Sequence, residues 1–314
     1  MSHPTFPGTD RTFLPVNLGG NPFGWTADAE ASFAVLDAFL AAGGSFVDTA
    51  DMYSAWAEGH EGGESERIIG RWMAERGNRD EVLVATKVGK KPGREGLARD
   101  TVMTALDESL DRLGTDHVDL YYAHTDDDSV DIADQVATFD EVVRSGRART
   151  IGLSNYAPDR LRAFLETAAE QGASVPTAIQ PRYSLVSRAD YERDLAPLVA
   201  EFGLAVFSYP ALASGFLTGK YRTEEDFAGN ARGGAARRYA DAGGLAVVDV
   251  LVEVAQRHDV QPATVALGWV LAKGITAPIA SASRPEQLEP LLAATSLQLT
   301  EADVRELDEA SSSF

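Results

Sequence analysis

The chain has no cysteine. That absence removes disulfides, thiol nucleophiles and thiolate-bound zinc in one step. Histidine is scarce too: five in 314 residues, at positions 3, 60, 117, 124 and 258. No two of them have the His-x-x-x-His spacing that puts a pair of zinc ligands on one helix face. Positive charge is also short, with 28 Lys and Arg against 48 Asp and Glu and a formal net charge of −20 at pH 7. Such a balance repels nucleic acid and anionic lipid, so neither is expected as a partner. A polyanionic ligand could be held only where the few cations are gathered. No apolar run reaches the ~18 residues of a membrane span. Met1 to Leu14 lacks the basic-then-apolar order of a signal peptide. A cytoplasmic protein is expected, with its oligomeric state left open.

What the chain does have is one unit repeated: a short apolar run, a polar or glycine-containing loop, then an amphipathic helix. Strands are predicted at Val16–Leu18, Ser45–Val47, Val82–Ala85, Val118–Tyr122, Thr150–Leu153, Thr177–Ile179, Leu204–Phe207 and Ile275–Ile279. Between the third and fourth, Val102, Leu106, Leu110 and Leu113 form a helical stripe that stops at Gly114. Pro158 suits a first helical position before Leu161, Phe164 and Leu165. Strict alternation implies parallel strands with helical crossovers. Eight such units point to an α/β fold closed into a (β/α)₈ TIM barrel, with residues 1–314 as a single domain. The competing open doubly wound sheet usually carries a Gly-x-Gly-x-x-Gly turn after an early strand. Here Gly19-Gly20-Asn21-Pro22-Phe23-Gly24 stands instead. One long irregular stretch is expected at about 210–244, and a loop of that length is usually functional or mobile.

In such a barrel the active site lies at the carboxyl ends of the strands. The residues delivered to that rim are Gly19-Gly20-Asn21, Asp48, Lys87, His124, Ser154-Asn155, Gln180, Tyr209 and Ser281. Singly each has an ordinary explanation: a turn cap, a solvated lysine, a core histidine. Together with Tyr53 they suit carbonyl reduction, in which hydride arrival leaves charge on oxygen and a proton donor must stand beside it. A free tyrosine titrates near 10, and a nearby ammonium lowers that value. Lys87 is the ammonium available, Asp48 can hold it, and His124 can orient the substrate carbonyl.

These residues give the chain a specific likeness. Asp48-Thr49-Ala50-Asp51-Met52-Tyr53, Glu64-Ser65-Glu66 with Ile69-Gly70, Ala85-Thr86-Lys87 and Tyr121-Tyr122-Ala123-His124 resemble the aldo-keto reductase superfamily. The likeness runs on through Ile151–Asn155 and Gly215–Lys220 to Arg284-Pro285-Glu286-Gln287-Leu288, essentially the whole chain. It implies an NADP(H)-dependent oxidoreductase acting on a small aldehyde, ketone or sugar carbonyl. Asp48, Tyr53, Lys87 and His124 would be its catalytic set, with Tyr53 the general acid. Ser154, Asn155 and Gln180 would hold the nicotinamide amide, and Tyr209 would stack on its ring. Leu212, Ser214, Gly215, Leu217 and Lys220 would cross the pyrophosphate. Ser283 and Arg284 would meet the 2′-phosphate, and Gly20, Asn21, Asp48, Ser281 and Gln287 would complete the cofactor contacts. Trp25 and Trp56, with Tyr53 and His124, are the expected substrate wall. Lys220, Arg222, Arg232, Arg237, Arg238 and Arg284 are the expected cation cluster.

The likeness has departures. Pro210-Ala211-Leu212 stands where many relatives have Ser-Pro-Leu, Ser214 replaces a common arginine, Ser281 a usual glycine, and Leu291 an expected asparagine. Two other classes compete: an NADP-binding regulatory or sensor subunit with little turnover, and a metal-dependent hydrolase built on His124 and Asp126-Asp127-Asp128. No ligand spacing supports the metal, and a solvated acidic loop is the simpler account.

Overall fold

The eight apolar runs become the eight strands of a closed, all-parallel barrel in the computed structural model, which describes residues 3–314. In chain order they are β1 (Asn17–Gly19), β2 (Phe46–Asp48), β3 (Leu83–Val88), β4 (Val118–Ala123), β5 (Ala148–Ser154), β6 (Ala178–Gln180), β7 (Ala205–Ser208) and β8 (Ala277–Ala280). Each pairs with its sequence neighbour, and β8 returns to β1 through Asn17 opposite Ile279. The sequence expectation of a (β/α)₈ barrel is met.

Helices cover the outside because each offers one apolar face to the strands. The helix Arg99–Leu113 buries Val102, Leu106, Leu110 and Leu113, then ends at Gly114 in the left-handed conformation. Its neighbour Glu64–Arg76 approaches closely at Gly70, where a Cβ would stand 2.4 Å from the Arg112 carbonyl oxygen. That closeness sets the height of Glu66 and Ser65 above the barrel.

The barrel interior is filled, not open. Phe46, Leu83, Ala85, Leu120, Tyr122, Ala178, Phe207 and Ala277 point inward, and the amino-terminal segment adds Phe6 and Phe13 from below. Phe46 meets Phe6 edge-on at 4.9 Å and Phe207 at 5.0 Å. Burying one such ring is worth about 1.5–3 kcal/mol. This plug fills the amino ends of the strands and leaves the carboxyl ends to carry the site.

Two features differ from the sequence expectation. The stretch 210–244 is largely ordered helix: a 3₁₀ segment Ala213–Thr218, then Glu224–Ala228 and Gly233–Asp241. Alanine and arginine after Gly234 carry enough helical propensity to outweigh the glycines. Tyr221 also stacks on Phe227 at 5.0 Å, anchoring the start of the loop. The second is a small hairpin pairing Lys90–Lys91 with Arg94–Glu95, directly after β3.

Candidate active site

Asp48 ends β2, and Lys87 is one residue from the end of β3, directly beside it. Both side chains are fully buried, with Lys87 Nζ 2.6 Å from Asp48 Oδ2. The ammonium has three N–H donors and three acceptors: Asp48 Oδ2, the Thr49 carbonyl at 2.7 Å and the Tyr53 hydroxyl oxygen at 2.8 Å. Tyr53 in turn donates to Asp48 Oδ2 at 3.1 Å. Gln180, from β6 across the barrel, donates to Asp48 Oδ1 at 2.9 Å. The Asp, Tyr and Lys of the expected set therefore form one closed hydrogen-bonded unit.

Burial pushes the two titrating partners toward their neutral forms. It raises Tyr53 well above the usual phenol range, and the Asp48 carboxylate raises it further. It lowers Lys87, opposed by the attraction of Asp48. The direction at Tyr53 is opposite to the lowering expected from the ammonium alone. The reason is first that burial penalises the phenolate, and then that its hydroxyl donates to a carboxylate, so ionising it would set two anions together. Tyr53 holds its proton firmly in this arrangement.

His124 follows β4, and its ring centroid lies 6.2 Å from that of Tyr53. Burial, with the Lys87 and Lys90 charges, holds the imidazole well below its ordinary value, so it is neutral at pH 7. Its Nδ1 is buried without a hydrogen-bond partner among the described residues. A neutral ring of this kind can donate one hydrogen bond but is a poor source of protons.

Behind this unit lies a second buried network that the sequence reading did not single out. Glu66 accepts from Thr86 Oγ1 at 2.5 Å and from Arg112 Nε at 2.7 Å. Beside it the Asp51 carboxyl is 1 % exposed, with neither oxygen hydrogen-bonded among the described residues. Burial, then Glu66, raises Asp51 to about 7, with Arg112 and Lys91 opposing. Between the unfolded value near 3.8 and pH 7 the folded chain keeps a proton that the unfolded chain loses. Stability therefore falls as pH rises through that window, by up to about 4 kcal/mol. Asp51→Asn removes the ionisation. Its melting temperature should match the parent below about pH 4 and exceed it by several degrees near pH 8. A constant difference across pH would refute this.

Above Tyr53 opens a cavity of about 880 Å³. Of the expected cofactor residues, Asn21, Gln180, Tyr209, Leu212, Ser214, Gly215, Lys220, Ser281, Ser283, Arg284 and Gln287 line it. So do Trp25 and Trp56, whose rings meet edge-on at 5.5 Å, with Trp56 standing 6.0 Å from Tyr53. Gly20 lies just behind the wall, its amide bound to the Asp48 carbonyl, and Gly19 lines the cavity in its place. Leu217 is wholly buried, so its side chain belongs to the core. Ser154 donates to the Gln180 carbonyl at 2.8 Å. Asn155 donates to the His124 carbonyl at 2.8 Å and accepts from the Tyr209 hydroxyl. Those two side chains are engaged within the rim.

The expected cation cluster divides. Arg222 pairs with Asp249 and Arg237 with Glu224, away from the cavity. Arg238 donates to the Tyr239 hydroxyl. Lys220, Arg232 and Arg284 line the cavity, and Lys220 is lowered by burial and then by the other two charges. Arg232 is lowered by burial, donates to the Asn21 amide oxygen at 3.3 Å and lies 5.6 Å over the Trp25 ring. Three cations that line one cavity, none in an ion pair among the described residues, fit a polyanionic ligand. The acidic run after His124 is otherwise engaged: Asp126 binds Arg160 and Gln135, and Asp127 binds Ser129 and the Leu97 amide.

A closed parallel barrel with this rim defines an oxidoreductase of the aldo-keto reductase type. Residues 15–312 match the family described as the Aldo/keto reductase family, and the chain belongs to it. It is 32% identical over 294 residues to the aldo-keto reductase yakc of Schizosaccharomyces pombe, whose name carries NADP(+), covering 90% of this chain and 82% of that one. It is 31% identical over 324 residues to an aryl-alcohol dehydrogenase of Pestalotiopsis microspora, covering 96% and 80%. A norsolorinic acid reductase of Aspergillus flavus is 27% identical over 314 residues, covering 94% and 77%.

Proposed function

We propose that the chain reduces an aldehyde or ketone to the alcohol with NADPH, using Tyr53 as the general acid. The observation that carries this reading is the Tyr53 hydroxyl held between Lys87 and Asp48 at the foot of a cavity walled by Trp25 and Trp56. Bound NADPH supplies the hydride. Tyr53 supplies the proton, and the Lys87 ammonium stabilises the phenolate it leaves behind. Neutral His124 donates a hydrogen bond that orients the carbonyl. The names of the relatives from P. microspora and A. flavus support carbonyl chemistry, and the yakc name supports NADP(+).

Lys220, Arg232 and Arg284 would receive the cofactor phosphates, with Arg284 at the 2′-phosphate. Arginine meets phosphate through paired N–H donors, so its loss is felt by NADPH and not by NADH. Arg284→Leu is expected to weaken NADPH about tenfold or more in a fluorescence titration, with NADH within about twofold of the parent. Equal weakening of both would remove Arg284 from that role. The reading itself is tested by loss of NADPH absorbance with a nitrobenzaldehyde. No turnover across a broad carbonyl panel, despite tight NADPH binding, would overturn it.

A further inference from the structure

One of the three acceptors that aim the Lys87 ammonium belongs to neither Tyr53 nor the Asp48 carboxylate: it is the Thr49 carbonyl, at 2.7 Å. The direction of that carbonyl is set by ties outside the reacting unit. The Thr49 amide donates to the Ala85 carbonyl at 2.8 Å, and the Asp48 carbonyl before it accepts from the Gly20 amide at 2.7 Å. The Thr49 side chain adds a third tie, donating from Oγ1 to Ser65 Oγ at 2.8 Å. Ser65 in turn donates to the Gly20 carbonyl at 2.8 Å. A hydroxyl carries one proton and a carbonyl none, so both hydroxyls in this chain of bonds have a fixed direction. Gly20 leaves room for it, since a Cβ there would stand 2.8 Å from Ser65 Oγ.

Ser65 is itself held in place. It stands in the first turn of the helix Glu64–Arg76, and the next residue, Glu66, accepts from Thr86 and Arg112. Thr86 precedes Lys87 in β3. One helical turn therefore grips the strand that carries the ammonium and the peptide that receives it. Thr49, Ser65, Glu66 and Thr86 are all wholly buried, and none of them lines the large cavity. Whatever they contribute to chemistry passes through their neighbours.

We propose that Ser65 is a positioning residue for the reaction: through Thr49 it fixes the carbonyl that keeps the Lys87 ammonium directed at the Tyr53 hydroxyl. This rests on the carbonyl-reductase reading above. Without the tie the Thr49 peptide turns, Nζ follows the opposite charge of Asp48, and the phenolate formed in the transition state is less well stabilised. A misplacement of about 1 Å by a residue remote from the chemistry costs up to about 10²-fold in rate.

The test uses Ser65→Ala, Thr49→Val and the double variant, with saturating NADPH and a nitrobenzaldehyde as substrate. Each single variant should lower kcat about tenfold, with KM and NADPH affinity within about twofold of the parent. Both changes break the same tie, so the double variant should be within about twofold of Ser65→Ala. A packing role alone would lower the melting temperature and leave kcat of the folded protein at the parent value. Parent kcat in both single variants, a loss carried by KM, or losses that multiply in the double variant would overturn the proposal. Should Ser65→Ala not fold, Thr49→Val decides, because it keeps the Ser65 bond to Gly20. A second arm needs no turnover: the side-chain nitrogen resonance of Lys87 in isotope-labelled protein, identified by its loss in Lys87→Met. It should move in both single variants, and a resonance at the parent position in both would sink the positioning role. A moved resonance in a protein that reduces no carbonyl would uphold the placement of Lys87 by Ser65 and sink the reductase reading.

Discussion

Tyr53→Phe is expected to lower kcat for carbonyl reduction by about 10²–10⁴-fold, the usual worth of a positioned general acid. Cofactor affinity should be unchanged, because the ring stays between Trp56 and His124 and only the hydroxyl is lost. The loss is felt at both neighbours. Lys87 forfeits the acceptor of its third N–H, and Asp48 forfeits one of its three side-chain donors. Leaving one buried donor unsatisfied costs about 1–3 kcal/mol, too little to unfold a domain of this size. Single-turnover rates with saturating NADPH, set beside a melting curve and an NADPH titration, separate these effects. Turnover at the parent rate would remove Tyr53 from the proton-transfer step.

Lys87→Met should be the most damaging change at the site, because it acts on fold and chemistry together. Methionine replaces the length of the stem, but the Asp48 carboxylate is left without its counter-charge at zero exposure. Removing one partner of a buried pair costs about 3–5 kcal/mol. For a chain of this length that corresponds to a fall of about 5–10 °C in melting temperature. Turnover should fall at least as far as in Tyr53→Phe, since the phenolate loses the charge that stabilises it. The double variant Lys87→Met, Asp48→Asn distinguishes the two losses. It should recover most of the lost stability, because no unpaired charge remains, and none of the lost turnover. Recovery of turnover would mean that Lys87 acts only by neutralising Asp48.

Several parts of this arrangement were legible without coordinates. The eight strands could be read because each is a short apolar run ending in a polar rim residue, and a parallel barrel repeats that pattern. Asp48, Lys87 and His124 could be found because the barrel rule converts position along a strand into position in the site. The stretch 210–244 was misjudged, because helical propensity around Gly233 and Gly234 is weak until Tyr221, Phe227 and Tyr239 provide something to pack against. The network of Asp51, Glu66 and Arg112 could not be read for a related reason: Asp51 and Glu66 stood out only as parts of the family likeness, and their burial beside Arg112 depends on the close approach at Gly70.

By itself, then, the sequence determined the barrel, its family and the identity of the residues around Tyr53, since periodicity and strand ends are local properties of the chain. The tertiary structure alone decided the electrostatics. It buried the Tyr53 hydroxyl and placed it as a donor to Asp48, turning the expected fall in its pKa into a rise. It divided the cations into those with carboxylates and those without. Desolvation and pairing depend on which groups meet across the barrel, between residues as far apart in the chain as Asp48 and Gln180. No spacing in the sequence records such a meeting.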